Sequence, residues 1–185
     1  MLNNQQLSET VLAALSGDVH SVTALVVQLS SLPGNHTNPV HIRPYRQLIG
    51  EVSKTYGGHT AELDDRHVLA IFPAQPPSLA LRAALTLRAR LDQLSQEAGA
   101  GKHPGYRIGI GLHTGSARPV AHLAAGVNEA ANLSALNQQA PFPALFVSEE
   151  TARALPETDG YHVHSLGLVD LPEEPEPLAV FALMG

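Results

Sequence analysis

Residues Thr55 to Phe72 constrain this chain more than any other stretch. Gly57-Gly58 ends the segment before it, a short strand follows, and Asp64-Asp65 supplies turn chemistry. Val68 to Phe72 is then continuously apolar, as a strand covered on both faces is. The stretch reads as a hairpin inside a layered fold. With Asp64-Asp65 as the loop, Glu62 stands opposite His67 across the ladder, and the turn tip carries a dense mixture of charges.

A hairpin of this kind needs partners on both sides, and the rest of the chain offers them. Val22 to Leu29 is largely β-branched and apolar, as a central strand is, and Ser30 to Asn38, with Pro33-Gly34, reads as a loop. Pro44 to Lys54 is expected to be a short helix with Leu48, Ile49 and Val52 on one side. Pro76-Pro77-Ser78 sets a second helix start, and Ala80, Ala83, Leu87, Leu91 and Leu94 recur at the helical period to about Gln96. Gly99 to Gly105 is a turn and Tyr106 to Gly115 a strand. Val127 opens a helix with Asn128 and Asn132 on one face, and Pro143 to Val147 is a strand. Ser148 is a natural N-cap, with Glu149 and Glu150 in the first turn behind it. Tyr161 to Leu166, Gly167 to Leu171 and Leu178 to Leu183 read as three short strands.

At 185 residues a single domain is expected, over 18–185, preceded by a lead-in helix over 1–17 whose Leu7, Val11, Leu12 and Leu15 share a face. Aromatic residues make up only 4% of the chain, so Leu, Val, Ile and Ala must fill the core. The absence of Cys excludes disulfides, zinc-thiolate sites and thiol nucleophiles. A formal charge of -6 argues against nucleic acid or an anionic membrane as a partner. No apolar run reaches the length of a membrane span and Met1 to Thr10 lacks a basic start, so a cytoplasmic location is expected.

Several of these stretches together resemble the class III nucleotidyl cyclases, the catalytic domains of adenylyl and guanylyl cyclases. Their central hairpin carries GG-x-x-x-K-x-x-G-D-G before an apolar strand, which Gly57-Gly58 and Val68 to Phe72 match in framework. Tyr106 to Gly115 contains Arg107-Ile108-Gly109-Ile110-Gly111-Leu112-His113-Thr114-Gly115, similar to the R-I-G-I-G-x-H-T-G signature of bacterial members. Val127 to Leu133 resembles V-N-x-A-A-R-L, and Val147 to Thr151 resembles V-S-x-x-T. Leu166-Gly167 and Leu171 keep the L-G-x-x-x-L spacing, with Pro172-Glu173 in place of Lys-Gly. The resemblance spans Val22 to Leu183, although only Ser116 to Gly126 stands where the family has its dimerisation arm.

The resemblance implies an α/β (α+β) fold, one mostly antiparallel sheet with packed helices in a ferredoxin-like arrangement. It also implies chemistry that these residues do not supply. The family joins the ribose 3′ oxygen to the α-phosphate using two metal ions held by Asp side chains, with an Arg on the transition state. By resemblance, the metal positions fall on Gln28 and Arg66, the base-contacting Lys on Glu62 and the Arg on Asn132, while the family Asn is kept as Asn128. A one-residue bulge would instead put Asp65 in the place of Arg66.

The expectation is a catalytically inactive cyclase homology domain, a regulatory or interaction module in signalling that binds no magnesium or manganese. A protein partner or self-association goes with it. The rivals are a divergent cyclase making cAMP or cGMP with those metals, and a sensor that binds a nucleotide or other small ligand without turnover. The chain has ten His, and His59, Asp64, Asp65 and His67 lie close in sequence. Strand parity sends His59 and His67 to different faces and no helical His pair occurs, so these are read as structural or solvated, as are His162 and His164 on a presumed edge strand.

Overall fold

A computed structural model of the chain describes residues 19–31, 39–73, 77–97, 105–142, 144–155, 161–171 and 176–184. The lead-in helix expected over 1–17 and most of the first loop and the turn after residue 98 lie outside the described residues. The elements in order are β1 (Ser21–Ser31), α1 (Pro39–Thr55), β2 (His59–Glu62), β3 (His67–Phe72), α2 (Ser78–Glu97), β4 (Tyr106–Ser116), α3 (Val120–Gln139), β5 (Leu145–Ser148), α4 (Glu149–Ala154), β6 (His162–Val169) and β7 (Leu178–Met184).

The strands form one seven-stranded sheet in the order β2-β3-β1-β4-β5-β7-β6. Every neighbouring pair is antiparallel except β4 and β5. The first six elements make the βαββαβ unit of a ferredoxin-like fold, and β5, β7 and β6 extend its sheet past β4. Helices cover both faces, which is why β1 and β3 are continuously apolar. Leu25, Val27, Leu29, Val68, Ala70 and Phe72 pack with α1 and α2. Val22, Ala24, Val26, Leu69 and Ile71 pack with Leu123, Ala124, Val127 and Ala130 of α3. Each Leu or Ile fully buried in these layers contributes about 2 kcal/mol over leaving it exposed.

The glycines of β4 set how closely α3 approaches. Ile108, Ile110 and Leu112 point to the α1–α2 side. On the other side, a Cβ at Gly109 would collide with the carbonyl of Ser134, and one at Gly111 with that of Ala130. Backbone therefore lies on backbone, with small residues on the helix and none on the strand.

Four expectations are corrected. The hairpin loop is longer than Asp64-Asp65: Glu62 pairs with Val68, not His67, and the Leu63 and Asp64 amides both donate to the His67 carbonyl, at 3.0 and 3.5 Å. That one-residue change reverses the parity argument, because His59 stands opposite Ile71, which shares its face with His67. The two His thus lie on the same side, about 13 Å apart along the ladder. The helix placed from Pro44 starts at Pro39, a first-turn position that suits proline, and tolerates Pro44 inside it at the loss of one backbone hydrogen bond. The helix placed at Val127 starts at Val120, and Pro119 before it gives no side-chain cap to mark the spot. The two strands expected over 161–171 are one, β6, in which a bulge between Ser165 and Gly167 is accommodated by Gly167 at φ +89.

Candidate functional site

The residues singled out in the sequence fall into two places. The first is the end of β1 beside the β2–β3 hairpin. The ladder runs without a bulge from Thr23↔Phe72 to Gln28↔His67, and the Leu29 amide donates to the Arg66 carbonyl at 2.8 Å. Gln28 and Arg66 are therefore close along the backbone at this end of the sheet. Gln28 Oε1 is buried and accepts no hydrogen bond. The nearby Gln138 Nε2 donates instead to the Gln28 and Arg107 carbonyls, at 3.5 and 2.9 Å.

Two of the hairpin's three carboxylates, those of Asp64 and Glu62, are engaged elsewhere. Asp64 Oδ1 accepts from the Arg66 and His67 amides at 2.7 and 2.8 Å, and both of its oxygens contact His67 Nδ1. Burial alone would push the Asp64 carboxyl up, but these hydrogen bonds from Arg66 and His67 outweigh it and hold the group below the usual carboxylate range. Asp65 stands fully exposed at the tip, 3.9 Å from Arg46 Nη2, and Glu62 accepts from Arg46 Nη1 at 2.8 Å. A neutral amide, a guanidinium and a carboxylate committed to its own loop are poor ligands for magnesium, which is usually anchored by one or two free carboxylates and completes its octahedron with water or phosphate oxygens.

The second place is a cavity of about 500 Å³ lined by α3, the start of α4 and the start of β7. Asn128 and Asn132 both line it, as their four-residue spacing predicts, and no residue of β1 or the hairpin does. Glu129, Glu149, Glu150 and Glu176 line it too, with no Lys or Arg among the lining residues. Such a surface repels phosphate and favours cations. Ser148 caps α4 as expected, its hydroxyl accepting from the Thr151 amide at 3.3 Å, and so fixes the direction in which Glu149 and Glu150 leave the helix.

Sequence reasoning missed one grouping beside this cavity. His113 on β4, Glu129 on α3 and Glu150 on α4 present ligand-type atoms that all lie within 4.8 Å of one another. His113 Nδ1 is 3.2 Å from Glu129 Oε1 and 3.9 Å from Glu150 Oε2. The three lie far apart in sequence on separate elements, so no spacing could have signalled them. His113 was visible only as part of the β4 signature.

No family model matches the chain, and no curated protein sequence does. Solved structures do. The adenylyl cyclase CyaB from P. aeruginosa superposes with a TM-score of 0.71 at 15% identity, over 90% of this chain and 94% of that one. The guanylyl cyclase Cya2 gives 0.66 at 20% identity, over 91% and 94%. The guanylate cyclase domain of RhGC from Catenaria anguillulae, solved with GTP, gives 0.68 at 14% identity, over 92% and 99%. Over nearly all of its length, this chain has the fold of the class III nucleotidyl cyclase catalytic domains.

Proposed function

We propose that the domain is a non-catalytic version of the cyclase fold that serves as a regulatory or protein-interaction module in signalling. The observation that carries this reading is the pairing at the end of β1, where Gln28 lies across from His67 and next to Arg66. A guanidinium at a magnesium position repels the ion, and a single arginine clamp, replaced here by Asn132, is worth on the order of a thousandfold or more in phosphoryl transfer. Glu62, bound to Arg46, brings negative charge to a position where the family's Lys brings positive.

The test is incubation of the chain with ATP or GTP and Mg2+ or Mn2+. No 3′,5′-cyclic nucleotide is expected, and any enzyme-dependent product reinstates a divergent cyclase. The cavity beside Asn128 and Asn132 supports a second reading, a sensor that binds a small ligand without turnover. Its acidic lining favours a cationic ligand over a nucleotide. Calorimetry with a nucleotide panel separates the cases, since binding below millimolar would restore a nucleotide sensor.

A further inference from the structure

We propose that His113, Glu129 and Glu150 form a binding site for a divalent transition-metal ion, with zinc the best match to one imidazole and two carboxylates. The inference rests on side-chain geometry and stands whether or not the domain turns over nucleotide.

Three features carry it. The first is spacing. Ligands held at ~2.1 Å around a zinc ion stand about 3–3.5 Å from one another. The Nδ1 contacts are 3.2 and 3.9 Å, and all three ligand atoms, within 4.8 Å of one another, can draw into that range by rotation of the half-exposed Glu150 side chain. The second is direction. His113 Nδ1 is sealed from solvent and makes no hydrogen bond, although Glu129 Oε1 is close enough for one. The carboxylate oxygen lies off the line along which a ring N–H would donate, as a second ligand would if an ion sat on that line. The third is seating. A Cβ at Gly115 would meet His113 Nε2 at 2.5 Å, and one at Gly126 would meet Cδ2 at 2.7 Å. The imidazole is thus held between a glycine of its own strand and a glycine of α3, with Nδ1 facing the acids.

The charge balance agrees. Without a cation, the Glu129 and Glu150 carboxylates lie within 4.8 Å of each other at a cavity that Glu149 and Glu176 also line. One divalent ion would neutralise the two ligating carboxylates. Three protein ligands would leave further coordination positions open toward the cavity, as in sites that exchange a small ligand or water.

The test is titration of the purified, chelator-treated full chain with Zn2+ by calorimetry, and with Co2+ by visible absorption. A single equivalent should bind, and Co2+ should show d–d bands of a low-coordinate N/O site. Glu129→Gln and Glu150→Gln keep shape and remove charge. Each should weaken binding by about 100-fold or more, beyond the 10–100-fold typical of outer-shell changes. Glu150 is half exposed at the start of α4, so its variant carries the test even if Glu129→Gln misfolds. A His162→Asn, His164→Asn variant should bind like the parent. Absence of binding overturns the site, as does parental affinity in both Gln variants or loss of binding in the double His variant. None of these outcomes bears on cyclic nucleotide formation, so the site and the non-catalytic reading fail separately.

Discussion

Asp64 shows how much a single side chain does at the hairpin. It closes the loop on the Arg66 and His67 amides, and its carboxyl is held below the ordinary value of 3.8. A group with a lowered folded-state pKa contributes stability above its unfolded value and loses it as pH falls through the folded one. Asp64→Ala should therefore cost no more than about 1 kcal/mol at neutral pH, since the group is half exposed. In urea titrations the gap from the parent should close as pH drops below 3.8. The identity of this cap was readable, because an acid pair after a short strand is turn chemistry. The register was not, because Leu63 is apolar and gives no sign that it belongs to the loop. That one position decided which face His67 takes.

Among the elements, β4 and α3 meet backbone to backbone. Gly109→Ala puts a methyl group into the Ser134 carbonyl, and backbone cannot step aside as a side chain can. A loss of about 2–3 kcal/mol is expected in chemical unfolding. Asn137, near the end of α3, does a different job. β4 and β5 pair only at Gly111↔Phe146 and Leu112↔Val147. Asn137 then stands in for further rungs, with Oδ1 accepting from the Ile110 amide at 2.9 Å and Nδ2 donating to the Ala144 carbonyl at 2.8 Å. Its Oδ1 also accepts from Arg88 Nη1 at 3.2 Å. Asn137→Leu leaves buried donors and an acceptor unpaired, and should cost about 3 kcal/mol in the same assay. Strands β1 and β3 were legible because burial on both faces writes a continuous apolar run, and β4 through its glycine-alternating signature. The first turns of α3 were not, since Pro119 offers no cap signal and Gly126 interrupts the pattern for the sake of His113.

Across the whole molecule, the proposed ion would join β4, α3 and α4. At a hundredfold excess over its dissociation constant, an ion that binds only the folded state stabilises it by about 2.7 kcal/mol. For a chain of this length that corresponds to a Tm increase of about 5–10 °C. Differential scanning fluorimetry with Zn2+, reversed by a chelator and absent in Glu150→Gln, checks it. Individual strands and helices were readable as local patterns, and their layered arrangement was expected from the resemblance to the cyclase family. The grouping at His113 depends on the crossover from β4 through α3 to β5, which no local pattern encodes.

The lone parallel junction also has a mechanical meaning. Two backbone rungs, one amide side chain, the Thr151 hydroxyl on Thr114 and the packing of Leu145, Val147 and Leu183 hold β5, β7 and β6 to the remainder of the sheet, whereas β1 and β4 share eleven paired positions. If the chain is pulled from its two ends in an optical trap, the C-terminal three strands should shear off as a block before the β1–β4 plate yields. A domain that relays force or displacement from a neighbour would give way along that line.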